Sequence, residues 1–219
     1  MTNRKFAPPT ANTIHRAMGE FQISVSDQQT TQIQRYMEML LAWNEKINLT
    51  AIRDPVEILY RHFCESMYAA QMVPFQNGRL ADIGSGAGFP GLPIKILAPE
   101  VEVFVVESNA KKGTFLAEVV RELGLTNVRV LISRYEELGE ELAPLDFVCS
   151  RAVGEFPAFL QWASSERLNA NEVALWIGGR DLEEVKVLQG WSWRQAIPIP
   201  HSLQRYVLVG SHESSDRTL

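Results

Sequence analysis

The chain has 219 residues, 46% of them apolar, and a formal net charge of -5. That is enough for one large hydrophobic core and too little for a second full domain. The negative balance excludes holding nucleic acid by charge alone, because phosphate binding needs clustered lysine and arginine. Any basic face must be local, with Arg53, Arg61, His62, Lys111, Lys112, Arg134 and Arg151 as its candidates.

Met1 to Glu20 lacks the apolar core of a signal peptide, and no later run is long enough to span a bilayer, so a cytoplasmic protein with no membrane partner is expected. Cys64 and Cys149 have neither disulfide-framework nor zinc-site spacing and read as buried thiols, and no metal is expected. Residues 1–25 read as disordered or extended. Residues 26–219 read as one domain, opening with a helical cap over 26–75. Ser26 with Gln29 three residues on has the form of a capping box, in which each side chain satisfies an orphan amide of a new helix. Ile33, Tyr36, Met37, Leu40 and Leu41 then recur at helical spacing, and Ile58, Leu59, Phe63 and Met67 repeat the pattern within Pro55–Val73.

From Arg79 short β-rich runs alternate with helical stretches, which predicts βαβ units and a mostly parallel sheet. The strands are expected at Arg79–Ile83, Val101–Val106, Val128–Ile132, Asp146–Ser150 and Val173–Ile177. The clearest helix is Lys111–Leu123, with Gly124 placed to end it in the left-handed conformation. Trp191–Ile197 and Tyr206–Val209 predict a closing antiparallel hairpin.

The strongest chemical signal is Asp82-Ile83-Gly84-Ser85-Gly86-Ala87-Gly88-Phe89-Pro90-Gly91, a glycine-rich turn between a strand and a helix. Lacking a Cβ, Gly84, Gly86 and Gly88 let a ligand approach the backbone, and the following helix offers free amides. The dinucleotide fingerprint would need glycine where Phe89 stands, which weakens a nicotinamide reading. Glu107 ends the second strand about twenty residues on, where a carboxylate can accept the ribose hydroxyls of a nucleoside cofactor. Ser133-Arg134-Tyr135-Glu136-Glu137 follows the third strand and suits either an adenine contact or an ordinary capped turn. Arg151 follows the fourth strand. In open α/β sheets ligands lie beyond the carboxyl ends of strands, so it points at the site, an ion pair being the alternative.

These residues, with Trp43-Asn44-Glu45-Lys46-Ile47-Asn48-Leu49-Thr50, Arg53-Asp54-Pro55, Arg61-His62, Lys111-Lys112 and Ser150-Arg151-Ala152, resemble the ribosomal RNA small-subunit methyltransferase G family, also called glucose-inhibited division protein B. The likeness runs from about Ile33 to Val209. It implies a Rossmann-like class I methyltransferase sheet with an N-terminal helical cap, S-adenosyl-L-methionine as cofactor, and formation of 7-methylguanosine in small-subunit (16S) ribosomal RNA. Cofactor binding transfers to Gly84, Phe89, Tyr135, Glu136 and Arg151, with Glu107 at the family's strand-end position.

The partner implied is small-subunit ribosomal RNA or a 30S assembly particle, met by a monomer. Arg61, His62, Lys111, Lys112 and Arg180 are the candidate RNA contacts, and Arg151 the candidate for positioning substrate. Phe89, Trp176 and Arg151 are candidates for stacking a splayed guanine. The seven-position nitrogen carries an in-plane lone pair and no proton, so no general base is needed. This agrees with the lack of a Ser-His-Asp, Cys-His or paired-carboxylate constellation in the sequence.

The chain departs from the family pattern where Glu65 replaces an aspartate and Ile177 replaces a lysine. Arg180, beyond the permissive Gly178-Gly179 pair, is the cation nearest to the lost lysine, or else a solvated helix-start residue beside Asp181. Two other functions stay open: a small-molecule methyltransferase of the same fold, and a non-catalytic RNA-binding or ribosome-assembly protein on a methyltransferase scaffold.

Overall fold

The computed structural model describes residues 7–75, 78–151, 154–168 and 170–212. Ala152 of the Ser150–Ala152 run, residues 1–6 of the expected extended start and residues 213–219 lie outside that set. The extended start is corrected over its second half, where α1 (Ala11–Glu20) is helical. Thr10 caps it by accepting the Thr13 amide at 3.3 Å, and Ile14, Ala17 and Met18 bury one face. With three anchors the apolar stripe is too short to stand out in the sequence.

The capping box forms at α2 (Asp27–Asn44): the Ser26 amide donates to Gln29 Oε1 at 2.9 Å, and the Gln29 amide to Ser26 Oγ at 3.2 Å. Ile33, Tyr36, Met37 and Leu40 face inward as expected. Asn44 then folds the following loop back on the helix, its Oδ1 accepting the Leu49 and Thr50 amides at 2.9 and 3.1 Å. A second rod starts as α3 (Pro55–Ile58), capped by Asp54, widens into a π-helical segment over Leu59–Cys64, and resumes as α4 (Glu65–Met72). A π turn inside a helix often marks a functional site.

The sheet follows: β1 (Arg79–Ile83), β2 (Glu102–Val106), β3 (Val128–Leu131), β4 (Phe147–Ser150) and β5 (Glu172–Gly178) are parallel, each pairing close to its expected span. The tail adds β6 (Trp191–Trp193), β7 (Ile197–Pro198) and β8 (Arg205–His212), all antiparallel to their neighbours, in the order β3-β2-β1-β4-β5-β8-β6 with β7 paired to β8. The expected strand Trp191–Ile197 is thus two short pieces, and β8 lies between β5 and β6. The prolines at 198 and 200 supply no amide donor, which keeps β7 to two residues.

Side chains alternate between the two faces. Leu80, Val103 and Val105 join α1, α2 and the cap in one core, while Ala81, Ile83, Phe104 and Val106 join α7 (Phe156–Ala163) and α8 (Gly179–Lys186) in the other. Between the strands run α5 (Gly91–Leu97) and α6 (Ala110–Glu122), the latter ended by Gly124 at φ +61°. The sequence order reverses between β1 and β4, the switch point where open α/β sheets bind ligands. Among the described residues no helix is long and apolar enough to cross a membrane.

Candidate active site

The glycine loop is anchored from below by Asp82. Its buried carboxylate accepts the Gly91 amide at 2.8 Å and faces the Cys149 thiol at 3.8 Å. Burial pushes the Asp82 carboxyl up to about 6 despite those bonds and the Arg151 charge. Ser85 locks the turn through Oγ to the Asp82 carbonyl (2.8 Å) and its amide to the Val106 carbonyl (3.0 Å).

The three expected cofactor glycines divide into two roles. Gly84 and Gly86 have φ of +68° and +60°, and a Cβ at Gly84 would meet no atom within 4 Å. They leave an open cradle. Gly88, at φ +92°, faces inward: a Cβ there would meet the Tyr36 hydroxyl and sit 2.8 Å from Leu92 Cδ1.

Beyond the cradle lies a cavity of about 420 Å³ at the ends of β1, β2 and β3, lined among others by Gly84, Ser108, Tyr135, Glu136 and Glu155. That size suits a small-molecule site. Tyr135 and Glu136, on a single 3₁₀ turn (Tyr135–Glu137), therefore come together with Gly84 as expected. Tyr135 is braced edge-on by Phe159 and Trp162, and burial raises its phenol. Glu107 lies at the strand end, 7% exposed, and its two oxygens accept the Gly86 amide at 2.9 Å and the Asn109 amide at 2.8 Å. It braces the glycine loop, keeping further lone pairs as acceptors. Ser108 and Glu155 escaped sequence reasoning because single polar residues after strand ends carry no pattern.

Three aromatic or cationic expectations need correction. Phe89 is 7% exposed and sandwiched, with Tyr36 stacked on one side (5.5 Å, 6°) and His62 near-parallel at 4.7 Å. Both its faces are occupied by protein, so it cannot stack a base. Trp176 is buried in the core under the cap, its indole N–H donating to the Glu65 carbonyl at 3.2 Å. His62 is held by Thr50 Oγ1 at 2.9 Å and by the Phe89 ring. Burial, then Arg151 and Arg61, hold its imidazole down at about 3, so it is neutral near pH 7 and offers phosphate no charge.

Across the switch point is a second cavity of about 310 Å³, walled by Arg61, Arg151 and Arg205, with Phe156, Trp176 and Ile177 among its apolar lining. All three guanidiniums converge on Glu65, which is 1% exposed: Arg205 Nη2 at 2.5 Å, Arg61 Nε at 3.5 Å and Arg151 Nη2 at 3.8 Å. Arg151 also donates to the Arg61 carbonyl at 3.0 Å and to Ser66 Oγ at 3.3 Å, fixing it beside the end of β4. Burial lowers its basicity, and Glu65 is the main opposing influence. Arg151 thus makes the ion pair that was the alternative reading, and it lines the cleft as well. Arg205 went unnoticed in the sequence because its partner is 140 residues away.

Asn109 caps α6 by accepting the amides of Lys111 (3.0 Å) and Lys112 (3.2 Å), so both lysines sit just past the end of β2. Arg180 is exposed in the first turn of α8, past the end of β5. Ile177 is 6% exposed and adds an apolar wall to the arginine cleft.

Solved structures with this architecture include S-adenosylmethionine-dependent enzymes. A SAM-dependent methyltransferase from Aquifex aeolicus superposes with a TM-score of 0.57 at 16% identity, over 72% of this chain and 93% of that one. M. capricolum TrmK in complex with S-adenosyl-homocysteine gives 0.53 at 15% identity, over 68% and 67%. The fold is that of the S-adenosylmethionine-dependent methyltransferases.

The profile described as rRNA small subunit methyltransferase G matches residues 29–193. The ribosomal RNA small subunit methyltransferase G of Desulfitobacterium hafniense is 38% identical over 185 residues, 75% of this chain and 77% of the relative. That of Lactococcus lactis subsp. cremoris strain SK11 is 42% identical over 154 residues, 68% of this chain and 65% of the relative. The chain belongs to the rRNA small subunit methyltransferase G family, as its motifs led one to expect.

Proposed function

We propose that this chain transfers a methyl group from S-adenosylmethionine to the seven-position nitrogen of a guanine in small-subunit ribosomal RNA, in the cytoplasm and as a monomer. The observation that carries this reading is the meeting of two unlike cavities across one pair of strand ends. Ile83, lining the glycine-loop cavity, is the register partner of Ser150, which lines the arginine cleft. One cavity offers carboxylates to ribose hydroxyls and to a cation, and the other offers guanidiniums to a nucleotide.

The glycine cradle fits the cofactor, since the chain keeps the space open where side chains would stand. Gly84, Gly86, Tyr135, Glu136 and Glu107 would hold it, with Arg151 at the boundary. When bound, S-adenosylmethionine supplies an electrophilic methyl group on a sulfonium. The chain's own task is alignment. The guanine nitrogen needs no base, and holding the reactants in line can supply roughly 7–11 kcal/mol of a barrier. Arg151, pinned by Glu65, Ser66 and the Arg61 carbonyl, is a fixed cation that positions the substrate. Lys111, Lys112 and Arg180, each past a strand end on this edge of the sheet, extend the surface toward the RNA backbone. Arg61 does so at the cleft.

A 30S assembly particle is the second form of the same substrate. Ile177, adding no charge where the family resemblance implies a lysine, favours the competing role of an assembly protein that does not methylate. Borohydride reduction and aniline cleavage of small-subunit RNA decide between them. Cleavage at one guanine is expected in RNA from cells with the protein and not from cells lacking it. The same cleavage in both would refute the reading.

A further inference from the structure

The arginine cleft does not end at Glu65. Arg61, Glu65 and Arg205 also line a third cavity, of about 340 Å³, on the far side of the same cluster. Its outer wall is built from Phe21 behind α1, Tyr60 of the π-helical segment and His201 of the loop before β8. Phe21 and His201 both lie outside residues 29–193, so the matched part of the family profile does not describe this wall.

The three rings form one cluster, with Phe21 and His201 centroids 5.2 Å apart and Tyr60 6.0 Å from each. Glu20 ties the rim together, accepting the Tyr60 hydroxyl at 2.7 Å and facing His201 Nε2 at 3.8 Å. His201 has φ +58°, a left-handed conformation that turns the chain at the lip of the cavity, and its side chain is half exposed. Asp54 and Glu57 line it too, Asp54 Oδ1 accepting the Glu57 amide at 2.8 Å and Glu57 Oε1 lying 3.7 Å from Arg61 Nη1, which leaves each carboxylate a second oxygen.

We infer that this third cavity receives the base of a nucleotide flanking the methylated guanine, in single-stranded RNA. Three features fit that ligand together. The half-exposed His201 ring, braced from behind by Tyr60 and the buried Phe21, gives a base a stacking surface. Asp54 and Glu57 accept from the exocyclic amino and ring N–H donors that bases carry, as carboxylates do toward cytosine. The shared arginines lie where the phosphate joining the two nucleotides passes from one cavity to the next. Arg61, Arg151 and Arg205 meet Glu65, and Arg61 also Glu57 at 3.7 Å, so guanidiniums outnumber their carboxylate partners in that passage, while Asp54 and Glu57 make the outer cavity acidic. The charge pattern therefore alternates as a nucleotide does, from anionic linkage to amino-bearing base. A bare phosphate would be repelled by Asp54 and Glu57, and an acidic peptide likewise.

This subsite rests on the RNA-substrate reading above. His201→Asn removes the ring and keeps a residue that tolerates the left-handed backbone. Glu57→Gln removes the charge and keeps the shape. Each is tested with synthetic small-subunit RNA containing the target guanine, intact or with an abasic nucleotide at one position at a time on either side of it. His201→Asn should weaken binding of intact RNA by roughly 5- to 150-fold, the range for losing one stacked base. At one flanking position the abasic RNA should cost the parent protein a similar factor and cost His201→Asn nothing further, because both changes remove one contact. Glu57→Gln should weaken binding of the intact RNA and discriminate less among bases at that position. Parent-like RNA binding by both variants, or losses that multiply at every position, would overturn the subsite while leaving the methyltransferase reading intact. A parent protein that binds no small-subunit RNA would overturn both.

Discussion

The two cavities that meet at Ile83 and Ser150 are built on opposite plans. The cofactor side is made of backbone: a glycine turn, two loops after strands, and carboxylates that hold amides. Its parts lie within consecutive βαβ units. The arginine side is made of long charged side chains from the cap, the residue after β4, and β8, all converging on the carboxylate of Glu65. Local sequence can specify the first kind of site. The second exists only after the chain has closed on itself, so it should be the more fragile to single charge changes and the less dependent on turn chemistry.

Glu65→Ala tests the fragile side and should have the largest effect. It leaves three guanidiniums without their shared partner, and removing one member of a buried ion pair costs about 3–5 kcal/mol. Urea unfolding should show that loss, while calorimetry with S-adenosylhomocysteine on the folded fraction should give near-parental affinity. A parallel collapse of cofactor binding would mean that the two sides are one structural unit.

On the cofactor side, Gly88→Ala and Gly86→Ala separate packing from ligand contact. Ala at Gly88 adds left-handed strain to overlap with Tyr36 and Leu92 and should cost about 2–4 kcal/mol. Ala at Gly86 carries only the strain, about 1–2 kcal/mol, and should lose cofactor affinity out of proportion to stability. Equal loss of affinity per unit of stability in both would erase the distinction between the two glycines.

A pH dependence, no larger than the glycine effects, falls at the seam between the two sides. His62 is held down at about 3, so between there and its unfolded 6.5 the unfolded chain binds a proton that the folded chain refuses. Its contribution to stability therefore falls as pH drops below 6.5. Asp82 runs the other way: raised to about 6 from 3.8, it binds a proton first in the folded state and adds stability on the way down. His62→Phe keeps a ring against Phe89 and leaves Asp82 alone. Moving from about pH 7.5 to about pH 5, the parent should fall behind that variant by about 2 kcal/mol in urea unfolding. Identical pH profiles would show that His62 titrates freely.

The same contrast explains what the sequence made legible. The positions of β1 to β5, the Ser26–Gln29 box, Gly124 and the glycine turn depend on neighbours within a few residues, and each formed as expected. The Gly84–Tyr135–Glu136 grouping followed from topology, because parallel strands deliver their carboxyl ends to one edge. Phe89 and Trp176 misled because an aromatic residue in a motif looks the same whether its faces are open or covered, and only packing against Tyr36, His62 and the cap decides. His62 beside Arg61 looked like a basic pair for the same reason. Arg205 and Glu20 owe their roles to partners 140 and 40 residues away, which no local period encodes.

The π-helical segment at Leu59–Cys64 makes residue count, and not only residue type, a property of the site. A helix advances by about 100° per residue. One residue fewer in that segment, returning it to an ordinary helix, would swing the Asp54–Tyr60 end by about that angle relative to Glu65. Asp54, Glu57 and Tyr60 would then leave the cavity that Glu65 also lines, with every side chain chemically unaltered. Substitutions in this helix are therefore graded in their effects, whereas a single deletion acts as a register shift that dissociates the cap's acidic and aromatic wall from its arginine centre all at once.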